Sequence, residues 1–282
     1  MRSDIRWLSF VFAVAVLVAG GRGRALAQDA FGEDGGDAAG DPAAPAVSAP
    51  EDAGKWSRWS QRFIDRPRTL PMGMIEAGGY LDINRTVVAT TTGTTSDTAL
   101  GLSVGGGYGV SDRLEVRGSY GLTLADFEAK GPLALGAGFG FAEGTLAIAG
   151  SADFVYDLGV ELGEIGLGAR VRYLLKPDLS LFTARQLAIG VIGDVKPATL
   201  RLPIGVGYQV NDRLYAFGET ELAVLNLKDS QSLALFADYV PITLGGVFAL
   251  SSKLEVGGLL FTDLKNDPFD ALFLEFFGRL YL

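Results

Sequence analysis

Glu219 and Glu221 stand two residues apart, and Glu255, Asp263 and Glu275 follow in later segments. Paired carboxylates that flank a sugar bond are the machinery of glycoside hydrolysis. Arg117, Arg170, Arg172, Arg201 and Arg279 fall at the same strand parity as these acids, as do Glu115 and Asp153. The competing reading is therefore a polar surface on which acids and bases compensate, and it is the favoured one. The chain contains no histidine and no cysteine. It thus lacks the side chain that titrates most readily near neutral pH, the commonest transition-metal ligand, and any thiol. No catalytic residue, metal ligand or cofactor is assigned. The run Gly105-Gly106-Gly107-Tyr108-Gly109 and the glycines of 136–140 suggest a phosphate cradle, but that motif needs a strand, a tight turn and a helix. Here the glycines lie inside alternating segments, where small residues relieve crowding.

The elements that must position these charges have a period of two. In 75–84, Ile75, Ala77, Leu81 and Ile83 share one face, and Glu76, Tyr80, Asp82 and Asn84 share the other. A hairpin repeats three times without gaps: 107–118, 207–218 and 247–258. Each copy places apolar residues at matching offsets around a short polar turn, as with Val110 and Leu114, Val210 and Leu214, and Leu250 and Leu254. Ser, Asn and Asp supply the turn chemistry. Tyr108, Tyr208 and Phe248 sit three residues before their turns on the apolar face, as a ring of aromatics at one height does in a transmembrane barrel.

Counting from this repeat gives strands at 75–84, 98–110, 113–125, 133–142, 145–156, 164–174, 179–191, 199–210, 213–226, 238–250, 253–263 and 271–282. Twelve is even, as closure with both termini on one side requires, and ten and fourteen are the neighbouring even counts. The seventh strand is the least regular, because Arg185 and Gln186 compete for the inward position. The expected fold is all-β, an antiparallel transmembrane up-and-down β-barrel in which 75–84 pairs with 271–282. The other architecture is a soluble β-barrel binding module with the apolar face inward around a ligand. Burying Arg170, Arg172, Glu219 and Glu221 in such a core carries a heavy desolvation cost, which turns the apolar face toward lipid.

The final strand carries Leu272, Leu274, Phe276, Leu280 and Leu282 on one face, opposite Glu275 and Arg279. Here the chain resembles the Gram-negative outer-membrane β-barrels, whose last strand is read by the barrel-insertion machinery. It departs from their usual form in ending on Leu282 rather than an aromatic residue. The hairpin 107–116 is also similar to those of transporter barrels grouped with aromatic-degradation pathways. The resemblance implies outer-membrane lipid and the insertion machinery as partners. It also argues against enzymatic activity, because the outer-membrane barrel enzymes rely on a histidine.

Upstream, Arg2 and Arg6 precede an apolar run, and Ala25-Leu26-Ala27 stands before Gln28, the layout of a signal peptide over 1–27. Residues 28–54 read as a disordered acidic Ala/Gly/Pro spacer. In 55–73 basic residues alternate with Trp56, Trp59 and Phe63, whose spacing suits an interfacial helix or a plug at the barrel mouth. Formal charge is -9, which argues against nucleic acid as a partner. The function expected is passive passage of an unidentified small solute through a polar, mixed-charge lumen in the cell outer membrane. Its candidate lining residues are Glu115, Arg117, Asp153, Arg170, Arg172, Arg201, Glu219, Glu221, Glu255, Glu275 and Arg279. A non-conducting structural or adhesive barrel that presents its outer loops is the alternative.

Overall fold

The computed structural model describes residues 56, 58–90, 93–124, 131–184, 186–194, 196–228, 232–265 and 271–282. The signal and spacer expected over 1–54 lie outside them. The strands are β1 (Ile75–Thr90), β2 (Gly93–Ser111), β3 (Leu114–Thr123), β4 (Pro132–Ala142), β5 (Leu146–Asp157), β6 (Leu162–Lys176), β7 (Leu179–Thr183), β8 (Leu187–Ile192), β9 (Ala198–Gln209), β10 (Leu214–Asn226), β11 (Leu233–Ala234), β12 (Pro241–Ala249), β13 (Leu254–Asp263) and β14 (Ala271–Tyr281). β7 and β8 are two halves of one wall strand, since both lie between β6 and β9. β11 is a two-residue strand in the connection from β10 to β12. The wall therefore has twelve strands, all antiparallel and closed into a barrel.

Closure is made by β1 and β14, which pair from Glu76 and Tyr281 to Thr86 and Ala271. Ile75 and Leu282 then exchange main-chain hydrogen bonds of 2.9 and 2.8 Å at the end of the seam. Such a barrel leaves no main-chain edge open to hydrocarbon. The three repeated hairpins turn at this same end by one device. Ser111 Oγ accepts the N–H groups of Arg113 and Leu114, Asn211 Oδ1 those of Arg213 and Leu214, and Ser251 Oγ those of Lys253 and Leu254. A short side chain that caps its own turn fixes the register of both strands.

Register fixes the faces. The outward set is apolar: Val104, Leu135, Leu244 and Phe276 are each more than half exposed. Tyr108, Tyr208 and Phe248 stand exposed on that face beside the turns, joined by Tyr173. Apolar residues thus point out and charged ones in, the reverse of what a soluble ligand-binding barrel needs. Residues 179–191 form the irregular strand. It breaks at Ala184, and the Gln186 amide closes the gap, accepting from the Ala169 N–H at 2.7 Å and donating to its carbonyl at 2.8 Å. Upstream of β1, the described residues contain one short helical element of defined bounds, a 3-10 turn at Phe63–Asp65.

Candidate functional site

The inner face has a crowded side and an open side. Tyr80, Phe182, Tyr215, Phe217, Phe273 and Phe277 are buried in one cluster, on strands running from β7 round through β14 to β1. Glycines of adjacent strands receive these rings: a Cβ at Gly205 would strike Phe182, at Gly207 Tyr215, at Gly245 Phe217, and at Gly257 Phe277. On this side the inward glycines do not widen the interior, because aromatic rings fill the space their missing side chains leave. Across β2 to β5 most inward residues are small apart from Glu115, Arg117 and Asp153, and Gly105, Ser119, Gly136 and Ser151 are only partly buried.

Residues 59–74 enter the barrel at the end that carries the turns. Phe63 and Ile64 join the aromatic cluster, and Trp59, Leu70 and Met74 form a second one with Tyr281. Leu70 and Pro71 rest on β2, where a Cβ at Gly109 would collide with the Pro71 carbonyl oxygen and stand 2.6 Å from that of Leu70. Arg66 has no exposed surface. Its guanidinium carbon lies 4.0 Å from the ring centre of Phe63, 4.7 Å from Trp59 and 5.4 Å from Tyr281. Its Nη1 meets Glu255 at 2.6 Å, and the same carboxylate takes Arg279 at 3.2 Å and the Tyr281 hydroxyl at 2.8 Å.

Nearer the rim, Arg58 pairs with Asp112 at 2.7 Å and Glu143 at 3.3 Å, and Arg62 pairs with Asp178. Main-chain N–H groups are also received by the wall: Ile64 donates to Gln209 Oε1 at 3.0 Å, Leu70 to Glu115 at 2.9 Å, and Met72 to Asp112 at 3.2 Å. Burial holds the Asp65 carboxyl above its ordinary range, with Asp178 and Asp212 acting in the same direction against Arg62 and Arg172.

Register puts all eleven candidate lining residues on the inner face. Glu115 gathers Arg117 at 3.0 Å and Arg170 at 2.9 Å, and Arg117 reaches Glu76 at 3.0 Å. Arg201 holds Glu221 at 3.0 Å, and Glu255 holds Arg279. Arg172, Glu219 and Glu275 are buried on the same face, while Asp153 is partly exposed on the open side.

No protein-family model matches the chain, and no curated protein matches it. Solved structures do. The KdgM porin in complex with disordered oligogalacturonate superposes with a TM-score of 0.50 at 7% identity, over 72% of this chain and 98% of that one. The chain has the fold of the outer-membrane β-barrel porins. The NanC porin is similar at a TM-score of 0.49 and 7% identity, over 72% of this chain and 99% of that one. An outer membrane channel from Pseudomonas putida F1 is similar at 0.44 and 16%, over 76% and 97%. At such identities the shared feature is the fold.

Within this porin fold, sequence reasoning missed the residues that seat 59–74. They are Gly109, Gln209 and Ala249, the third residues of the three hairpin repeats. Gly109 lies under Pro71, Gln209 accepts from Ile64, and Ala249 packs in the cluster with Phe63 and Ile64. The signal was present, because this position varies from Gly to Gln to Ala while the residues around it keep their pattern.

Proposed function

We propose that the chain is a passive channel of the outer membrane for small hydrophilic solutes, exported by its N-terminal signal and without enzymatic chemistry. The observation that carries this is the pairing of an apolar outer belt with a charged inner face in one closed barrel, whose small-residue side is only partly buried. On β3 Glu115 is buried beside the turn and Arg117 and Ser119 are partly exposed, before Gly121 is buried again. On β4 burial falls from Gly140 and Gly138 to Gly136 and Ala134. The small-residue side is therefore least filled at mid-height, around Ser119, Gly136 and Ser151, and the turn end, occupied by 59–74, is assigned to the periplasm by this reading. Residues 59–74 act as a plug for that end.

A non-conducting barrel is the second reading, favoured by the aromatic cluster that packs the opposite side of the interior. Planar-bilayer conductance separates the two, comparing the mature chain with a form that lacks 28–70. The channel reading expects small currents from the first and larger ones from the second. Silence from both supports the structural barrel.

A further inference from the structure

Most of the polar contacts described between 58–74 and the wall have the segment donating and the wall accepting; the Gly109 N–H, which donates to the Met74 carbonyl at 2.9 Å, and Arg172, which faces Asp65, run the other way. Three arginines meet Asp112, Glu143, Asp178 and Glu255, and three main-chain N–H groups go to Gln209, Glu115 and Asp112. Among the described residues, eight strand carboxylates are buried against three strand guanidiniums. A guanidinium that gives up its water loses several kcal/mol unless acceptors of good geometry replace it. Arg66 finds them in a carboxylate at 2.6 Å and three ring faces, with no exposed surface left. This interior is arranged to accept positive charge, and its own chain supplies some.

We infer that the lumen selects cations, organic ammonium and guanidinium groups above all, and that residues 58–72 are a tethered cationic occupant that competes with them. The inference rests on the channel reading for the passage of solutes, though not for the binding of cations. Carboxylates facing a narrow pathway with low-dielectric walls raise the local concentration of cations and exclude anions, as rings of Asp and Glu do in cation channels. A soluble polyamine presents the same donors as the arginines. It would take Asp112, Asp178 and Glu255 one after another, releasing the segment from the rim inward.

Two measurements on the mature protein test this. The first is the zero-current potential across a planar bilayer in a potassium chloride gradient, for the natural chain and for Gly109→Val. That variant changes no charge, but its side chain displaces Pro71 and Leu70. Its current should exceed that of the natural chain, and both potentials should have the sign of potassium over chloride. The second needs no current. Trypsin cleavage of the folded natural barrel at Arg58, Arg62 and Arg68 should accelerate several-fold with spermidine over sodium chloride of equal ionic strength. Chloride preference, or spermidine acting no better than salt, overturns the inference and leaves the channel standing. Absence of current from both proteins sinks the channel reading, and the cleavage assay alone then decides whether the interior takes cations.

Discussion

Glu255 receives two guanidiniums and a phenol hydroxyl with no surface exposed to solvent. Removing its charge takes from the buried Arg66 and Arg279 the carboxylate they share. Glu255→Gln should therefore destabilise the barrel by about 3 to 5 kcal/mol, read as a lower urea midpoint for unfolding from lipid vesicles. Replacing Glu143, at the half-exposed rim, should cost less than about 1 kcal/mol in the same assay. Alternation made the shared face of Glu255, Glu115 and Arg279 legible in the sequence, and all three are buried there. The partnership with Arg66 was not legible, since 189 residues separate the two and the stretch around Arg66 has no period to read. Tyr281 shows the same limit: its parity set it inward, while its place beside Trp59, with ring centres 4.7 Å apart, depends on packing between the two ends of the chain.

The element that departs most from ideal geometry is the broken strand of β7 and β8. Opposite the break stands Pro203, whose ring nitrogen has no hydrogen to donate and whose carbonyl accepts from the Thr183 hydroxyl at 2.7 Å. The Gln186 amide replaces the missing ladder with two bonds to Ala169. Gln186→Ala would strand that N–H and carbonyl on a wall with no water to satisfy them. It should cost about 1 to 3 kcal/mol for each group left unpaired, and hydrogen exchange should show lost protection of the Ala169 amide. The competition between Arg185 and Gln186 marked this irregularity in the sequence, although Arg185 itself lies outside the described residues. Elsewhere the repeat placed the strands at their turns, because a hairpin with a self-capping turn is a local structure, but β1 and β2 pair on to Thr90 and Gly93, past the expected ends at 84 and 98. β11 was not foreseen: it is two residues long and exists only through pairing with β10.

For the molecule as a whole, parity carries the largest consequence. Phe276 faces outward near the middle of β14, and Phe276→Arg should cost roughly 2 to 4 kcal/mol. Ser119→Arg, on the open inner side, should cost less than half as much. Unboiled gel migration and urea unfolding from vesicles measure both; equal effects would overturn the assignment of faces, and a larger cost at Ser119 would mean that they are exchanged. The closed twelve-strand wall was legible because each segment keeps its alternation; the filling of the interior was not, because it follows from rings meeting glycines on neighbouring strands. Beside the seam where β1 meets β14, the lodging of Trp59 and Arg66 is built from β13 and β14, the strands that close the wall onto β1, while the residues lodged there precede β1. Sealing the wall and completing that pocket therefore draw on the same strands, so a change that weakens the pairing of β13 with β14 should also unseat Arg66.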